Sequence, residues 1–334
     1  MRYLITGGAG FIGSHVVDGL TTRGDSVLVL DDFSTGDRSN LEHALSSNLL
    51  EVVEGSVLDE TLVDDCVEAV DACLHLASAV GVQLVVSRPL ETLRRSIRGT
   101  DIVVSAAARH RRPLTFTSTS EIYGKQSDGA VREDADRILG PPDKLRWSYA
   151  TAKSFGEALI YSYVREHGCR MTVVRLFNTV GPRQSGAYGM VLPRFVRQAL
   201  TGNDVTVYGN GTQTRCFAHV LDVVHGILLL LDDERGSGRA FNIGCSTEIP
   251  IVELARRVIE RTGSDSAIRL VPYEDAYDDG FEELGRRKPD TTALQQLTGW
   301  RPSRTVDDAI DDVIAYESGN RLVKPQVSGL RVAG

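Results

Sequence analysis

The chain has 334 residues, 42% of them hydrophobic and 25% charged, which at roughly 100–200 residues per domain allows one large or two ordinary domains around a sizeable core. Acidic residues outnumber basic ones by 45 to 37, for a net charge of −8. With no Lys/Arg-rich block, nucleic acid and anionic membrane surfaces are excluded as broad partners, and any polyanion must be small and held in a local pocket.

The first half alternates short β-rich runs with amphipathic helical patterns. In chain order the expectation is a strand at 2–6, a helix at 11–23, strands at 26–30 and 49–53, a helix at 60–70, a strand at 72–76, a helix at 90–110, a strand at 113–119, a helix at 148–167 and a strand at 170–176. Each parallel crossover needs about a dozen residues or more, so this alternation predicts an α/β fold, a parallel sheet covered on both faces. The second half is less regular, with helices expected at 192–201, 220–232, 251–262 and 306–317 and strands at 205–208 and 240–243. Two long polar stretches, 124–146 and 272–288, have the length of lids or binding loops. The last residues, from 321, are expected to fray.

The five cysteines, Cys66, Cys73, Cys169, Cys216 and Cys245, are scattered without a C-x-x-C pair, so reduced thiols in a cytosolic protein and no metal site are expected. Met1-Arg2-Tyr3-Leu4-Ile5-Thr6-Gly7 runs straight into a strand and a glycine turn, leaving no room for a signal peptide. The longest apolar stretch, Ile227 to Leu231, is far short of the ~20 residues that span a bilayer. A soluble, cytoplasmic protein is the expectation.

Gly7-Gly8-Ala9-Gly10-Phe11-Ile12-Gly13 follows a strand and opens a helix. Bare backbone at Gly7 and Gly10 can turn tightly against a pyrophosphate, Gly13 permits close helix–strand packing, and the helix N-terminus supplies amide donors. The second strand ends in Asp31-Asp32 about twenty residues on, where an acid accepts the ribose hydroxyls of an adenosine. A 2′-phosphate beside Asp31 would set two anions together, and the nearest base, Arg38, lies beyond the turn Phe33-Ser34-Thr35-Gly36, so NAD is favoured over NADP.

Tyr149 and Lys153, four apart at the start of a helix, share one face. An ammonium near a phenol favours phenolate and lowers its pKa, so Tyr149 could accept a hydroxyl proton. Alone, such a pair reads more readily as a solvated helix face. Strand 113–119, however, ends in Thr117-Ser118-Thr119-Ser120-Glu121-Ile122-Tyr123-Gly124, placing hydroxyls and a carboxylate at a C-terminal strand edge where open parallel sheets bind ligands. Thr119 could bridge a substrate hydroxyl to Tyr149, and Glu121 could handle a second proton.

Together with His75-Leu76-Ala77, Arg175-Leu176-Phe177-Asn178-Thr179-Val180-Gly181-Pro182-Arg183, Gly211-Thr212-Gln213-Thr214-Arg215 and Arg286-Arg287-Lys288-Pro289-Asp290 followed by Gly299-Trp300, these motifs resemble the extended short-chain dehydrogenase/reductase family of NAD-dependent nucleotide-sugar epimerases, dehydratases and decarboxylases. The resemblance runs over nearly the whole chain. It implies a Rossmann-type doubly wound sheet at 1–177, to which 220–247 returns, with a smaller interleaved substrate-binding α/β domain at 178–320 and a frayed tail at 321–334. It also implies that Phe11, Ile12, Val57, Leu76, Ala77 and Ser78 line the cofactor beside the glycine turn, Asp31, Asp32, Phe33, Thr35 and Gly36, and that Ser120 belongs with Thr119, Glu121, Tyr149 and Lys153 at the reacting centre.

Within that family, Glu121 in Thr119-Ser120-Glu121 is similar to the dehydratases and UDP-glucuronate decarboxylases, whereas simple 4-epimerases carry a small or hydroxylated residue there. Ser120 departs from the Asp-Glu pair of dTDP-glucose dehydratases. The resemblance to UDP-glucuronate decarboxylases implies oxidation at sugar C4, loss of CO2 from C5, and reduction to UDP-xylose or release of UDP-4-keto-pentose. Asn178 would hold a phosphate or the sugar, Arg215 and Arg287 the pyrophosphate or the glucuronyl carboxylate, Tyr208 the uracil, and Arg194 is a further candidate for the carboxylate. Alternatives are a UDP-sugar 4-epimerase, a nucleotide-hexose 4,6-dehydratase and a non-catalytic NAD-binding protein. Two departures stand out: Ser56 follows Gly55 where an acid is common, and Ser96 stands where Asn is usual before Gly99-Thr100. Relatives pair through the two helices expected at 90–110 and 148–167, which implies a homodimer.

Overall fold

The computed structural model describes residues 1–78, 89–126, 129–186, 190–273 and 287–319. The expected tail at 321–334 and most of the 272–288 stretch lie outside them.

The strands are β1 (Arg2–Thr6), β2 (Ser26–Asp31), β3 (Leu50–Glu54), β4 (Ala72–His75), β5 (Leu114–Thr119), β6 (Met171–Leu176), β7 (Thr179–Val180), β8 (Val205–Tyr208), β9 (Thr214–Cys216), β10 (Ala218–His219), β11 (Ala240–Ile243), β12 (Glu248–Pro250) and β13 (Ile268–Val271). Seven of them form one sheet in the order β11-β6-β5-β4-β1-β2-β3, with every pairing parallel. Central strands of such a sheet are covered on both faces and so read as near-continuous apolar runs. All four residues of β4 and all six of β5 are buried. The strand order reverses between β1 and β4, and the crevice at their C-terminal ends is where doubly wound folds bind ligands.

Helices Phe11–Arg23 and Val220–Leu231 cover one face, packed with Leu294 and Trp300 into one apolar cluster. A Cβ on Gly19 would lie 3.0 Å from Leu228 Cδ1, so the two helices meet closely. Glu60–Glu68, Pro89–Arg109 and Arg146–His167 cover the other face. Val191–Leu200, Ile251–Thr262 and Val306–Glu317 close a separate core against β8. The chain therefore leaves the sheet after β6, returns with Val220–Leu231 to add β11 beside β6, and leaves again.

Helix Thr292–Thr298 and the short pairs β7–β10 and β9–β12 lay outside the sequence expectation. Two or three residues are too few for an alternation to register, and seven give only about two helical turns. The 124–146 stretch is pinned by isolated bridges, Gly124 to Ile138 and Val131 to Pro289. None of the five cysteines forms a disulfide, and among the described residues no helix is long and apolar enough to cross a membrane.

Candidate active site

The turn after β1 leaves no room for side chains. Gly7 has φ +74°, and a Cβ there would stand 2.8 Å from the Ala77 nitrogen; one on Gly13 would stand 2.2 Å from the Gly7 carbonyl oxygen. The backbones of the glycine turn and of Leu76-Ala77 are thus in contact, tied by Leu76 N–H donating to Thr6 O at 3.1 Å and Ala77 N–H to Thr6 Oγ1 at 3.3 Å. Gly10 is the N-cap of helix Phe11–Arg23 and offers no side-chain cap. The first-turn amides near Phe11 and Ile12 therefore face the crevice without a side-chain acceptor from the cap. A bare, electropositive helix start against a glycine cradle fits a dinucleotide pyrophosphate.

Asp31, 8% exposed, accepts from Ala9 N–H at 2.8 Å and Phe33 N–H at 2.9 Å. It thus holds the glycine turn to its own loop, and each oxygen keeps a lone pair for a ribose. Burial pushes its carboxyl above the usual range, opposed by those two amides. Gly36 packs on the same turn, since a Cβ there would lie 3.0 Å from Asp31 Oδ1. Thr35 lies in the same loop, and Val57 packs against Gly99 of the neighbouring helix. The surrounding bases differ from expectation. Arg38 is not remote: its guanidinium lies 4.1 Å from the Phe33 ring centroid and pairs with Glu54. Arg95, unforeseen, pairs with Asp32 at 3.2 Å.

At the ends of β4 and β5 the catalytic candidates gather. Lys153, 3% exposed, donates from Nζ to the Thr117 carbonyl oxygen at 2.8 Å, and the same nitrogen lies 6.0 Å from the Tyr149 ring centroid. Burial pushes the amine down to about 7, partly offset by Glu157 one turn on. This corrects the expected electrostatics. Burial pushes the Tyr149 phenol above its usual range, the Glu121 carboxylate adds to the rise, and a hydrogen bond from Ser78 opposes it; the lysine, itself poorly solvated, does not prevail. Ser78 also lies 3.4 Å, Oγ to Oγ, from Ser96. Thr119 Oγ1 accepts Glu121 N–H at 3.2 Å, capping the turn Ser120–Tyr123 that aims Glu121. Glu121 in turn pairs with Arg287 from the far end of the chain. His75, at the floor, bonds Thr6 Oγ1 at 2.7 Å through Nδ1, and burial holds it neutral with a pKa of about 3.

The second part of the chain supplies a separate group. The Arg194 guanidinium stacks 4.1 Å from the Tyr208 ring centroid. Arg215, 9% exposed, donates to the Thr214 carbonyl at 2.7 Å and is close enough to Tyr273 to oppose the burial-driven rise of its phenol. Asn178 donates from Nδ2 to Cys216 O at 3.3 Å. Tyr273 went unnoticed in the sequence; the nearest signal is Gly209 with φ +68°, whose Cβ would stand 2.4 Å from that ring.

The family model described as the NAD dependent epimerase/dehydratase family matches residues 3–244. A UDP-N-acetyl-alpha-D-glucosaminuronate decarboxylase of Bacillus cytotoxicus is 39% identical over 316 residues, covering 94% of this chain and 97% of that protein. UDP-glucuronic acid decarboxylase 1 of Xenopus tropicalis is 35% identical over 317 residues, covering 94% and 72% respectively. Among solved structures, the dTDP-glucose 4,6-dehydratase DesIV of Streptomyces venezuelae, with NAD bound, superposes with a TM-score of 0.87 at 28% identity, covering 96% of this chain and 98% of that one. The chain belongs to the NAD-dependent epimerase/dehydratase family.

Proposed function

We propose that the protein is a UDP-glucuronate decarboxylase. The observation that carries this reading is the pairing of Glu121 with Arg287 beside Tyr149. A 4-epimerase needs one acid–base group at the C4 oxygen, whereas loss of a carboxylate needs a site for that anion and a second proton donor. A planar guanidinium suits a carboxylate, and Glu121 is at hand to protonate carbon. The decarboxylases at 39% and 35% identity support the same reaction class.

In this proposal Tyr149 removes the proton of the sugar 4-hydroxyl. Lys153, titrating near neutrality, takes up or releases a proton at Nζ as the phenol cycles. The glycine turn, Asp31, Asp32, Phe33 and Gly36 with Val57, Leu76, Ala77 and Ser78 would hold NAD, which would supply the hydride acceptor for C4 oxidation and, where UDP-xylose is the product, the hydride donor for its reduction. A ketone at C4 stands β to the C5 carboxylate, so the C5–carboxyl bond can break with its electron pair entering an enolate, releasing CO2. Glu121, after taking up a proton from solvent, then passes it to C5 and returns to the carboxylate that Arg287 pairs with, and departure before C4 is reduced gives UDP-4-keto-pentose. Arg215, Tyr208, Arg194 and Asn178 would hold the UDP end.

Incubation with NAD and UDP-glucuronate, followed by capture of CO2, tests the reading; a product that keeps its carboxyl carbon sinks it in favour of the 4-epimerase. The 39% relative warrants the same assay with UDP-N-acetylglucosaminuronate, which differs only at the sugar C2. The remaining assignments in this proposal are division into a nucleotide-binding part at 1–177 with 220–247 and a sugar-binding part over the rest of 178–320, cytoplasmic residence supported by five cysteines that form no disulfide, and a homodimer through helices Pro89–Arg109 and Arg146–His167.

A further inference from the structure

Behind the Glu121–Arg287 pair lies a buried polar network that the proposed chemistry does not use directly. Tyr123 ends the turn that aims Glu121. Its hydroxyl donates to Asn242 Oδ1 at 2.7 Å and accepts from Arg175 at 2.8 Å. Asn242, fully buried on β11, donates its two side-chain hydrogens to Val131 O at 2.9 Å and Asp290 O at 3.0 Å, and its backbone N–H bonds Glu133 Oε1 at 2.8 Å. Val131 and the segment carrying Arg287 also bond backbone to backbone: Val131 N–H to Lys288 O at 2.8 Å, and Asp290 N–H to Val131 O at 2.9 Å. The contacts close a ring, from Glu121 along its turn to Tyr123, across to Asn242, on to Asp290, and back through Arg287 to Glu121.

We infer that Asn242 is a positioning residue for the C5 step, its side-chain amide clamping the 287–290 segment so that Arg287 stays against Glu121. The inference rests on the decarboxylase reading for its chemistry and on the hydrogen-bond ring for its geometry. An amide is the side chain this position demands, because the site presents two carbonyl oxygens and one hydroxyl donor, and only Asn or Gln offers two donors and an acceptor together. A leucine of similar volume would take away the donor to the Asp290 carbonyl and the acceptor of the Tyr123 hydroxyl hydrogen, and leave Val131 O with the Asp290 N–H alone, in a dry environment. Tyr149 and Lys153 are positioned elsewhere, by their own helix and by Thr117, so their placement does not depend on this clamp. Arg175 carries the other branch, a bidentate pair with Glu157 at 3.0 and 2.8 Å. It contacts the clamp through Tyr123 and makes no direct bond to the Asn242 side chain among the contacts described.

The test compares Asn242→Leu with the full-length wild type in single turnover, reading reduced cofactor for C4 oxidation and captured CO2 for the C5 step, with backbone amide exchange followed over 129–133 and 287–290. The expected result is C4 oxidation within about twofold of wild type, CO2 release slower by about tenfold or more, and faster exchange in both segments. Should Asn242→Leu fail to fold, Tyr123→Phe removes one hydroxyl with little change of shape and is expected to shift the ratio of the two rates in the same direction. A fall of both rates by one common factor overturns the inference, as does unchanged CO2 release. If the wild type oxidises C4 yet keeps the carboxyl, the decarboxylase reading is what fails; the clamp then stands on faster exchange in Asn242→Leu and falls on unchanged exchange.

Discussion

Lys153 spends its one described hydrogen bond on the Thr117 carbonyl, at 2.8 Å, and sits in surroundings dry enough to bring its amine from 10.5 down to about 7. Between those two values the unfolded chain binds a proton that the folded chain does not, so stability rises with pH across that window. The contribution is fully present above about 10.5 and is lost as pH falls towards 7. Replacing Lys153 with Met removes the titration. The wild-type urea midpoint, measured relative to Lys153→Met without cofactor, is expected to climb steadily as pH rises from about 7 to about 9. A difference that stays flat over that range would place the amine at its ordinary value.

Tyr149→Phe keeps the ring and removes the only group assigned to the sugar 4-hydroxyl proton. Positioned acid–base groups contribute about 10²–10⁴-fold, so turnover should fall by at least the lower figure while NAD affinity, which the proposal assigns to the glycine turn and the Asp31 loop, should be unchanged by calorimetric titration. Retained turnover removes the tyrosine from the mechanism. A parallel loss of NAD affinity would mean instead that the phenol helps to hold the cofactor.

The central sheet was legible because its signals are local: each of β1 to β6 lies within a residue or two of its expected place, and the Gly7–Gly13 and Tyr149–Lys153 spacings fall within one helix or turn. What escaped depends on distant partners. The depressed Lys153 amine comes from burial that no spacing records. Arg95 reaches Asp32 across 63 positions, and Tyr123 reaches Asn242 across 119. Arg175 and Tyr123 both stood inside motifs quoted for other residues, with nothing in the local pattern to show that they meet. Asn178 and Arg194 stood out in the sequence only as candidates, and that Arg194 stacks on Tyr208 follows only from how Val191–Leu200 packs on β8.

Arg287 was assigned either to the pyrophosphate or to the sugar carboxylate, and its pairing with Glu121 favours the carboxylate. Arg287→Met should weaken binding of UDP-glucuronate by about 1.5–3 kcal/mol, the usual worth of hydrogen bonds to a charged group, while leaving UDP-glucose affinity nearly unchanged. Equal losses for both sugars would assign the guanidinium to the diphosphate that they share.

Helix Arg146–His167 carries Phe155 39% exposed, with Thr151 and Ala158 exposed on the same stripe at i−4 and i+3. A large ring left half in water beside small residues suits close helix–helix contact in a dimer. A glutamate at position 155 would place two charges near each other across a two-fold interface. Phe155→Glu is therefore expected to sediment as a folded monomer while the wild type sediments as a dimer, and identical sedimentation of the two would remove this helix from the interface.

A Cβ added at Gly13 would enter the space of the Gly7 carbonyl, at 2.2 Å, and of the Gly8 Cα, at 2.8 Å. Both neighbours are backbone, so neither can swing aside as a side chain would, and the helix must retreat from the strand. Gly13→Ala should destabilise the fold by about 1–3 kcal/mol through this overpacking, read as a lower urea midpoint at unchanged slope. Because the same retreat carries the Phe11 and Ile12 amides away from the cradle, NAD affinity should fall by more than stability alone explains. Gly24→Ala is the control: its added Cβ meets nothing within 4 Å, but its φ of +92° makes it costly to the backbone alone, so it should lower the midpoint and leave NAD affinity intact. Equal effects of the two variants on NAD would disconnect the helix start from the cofactor.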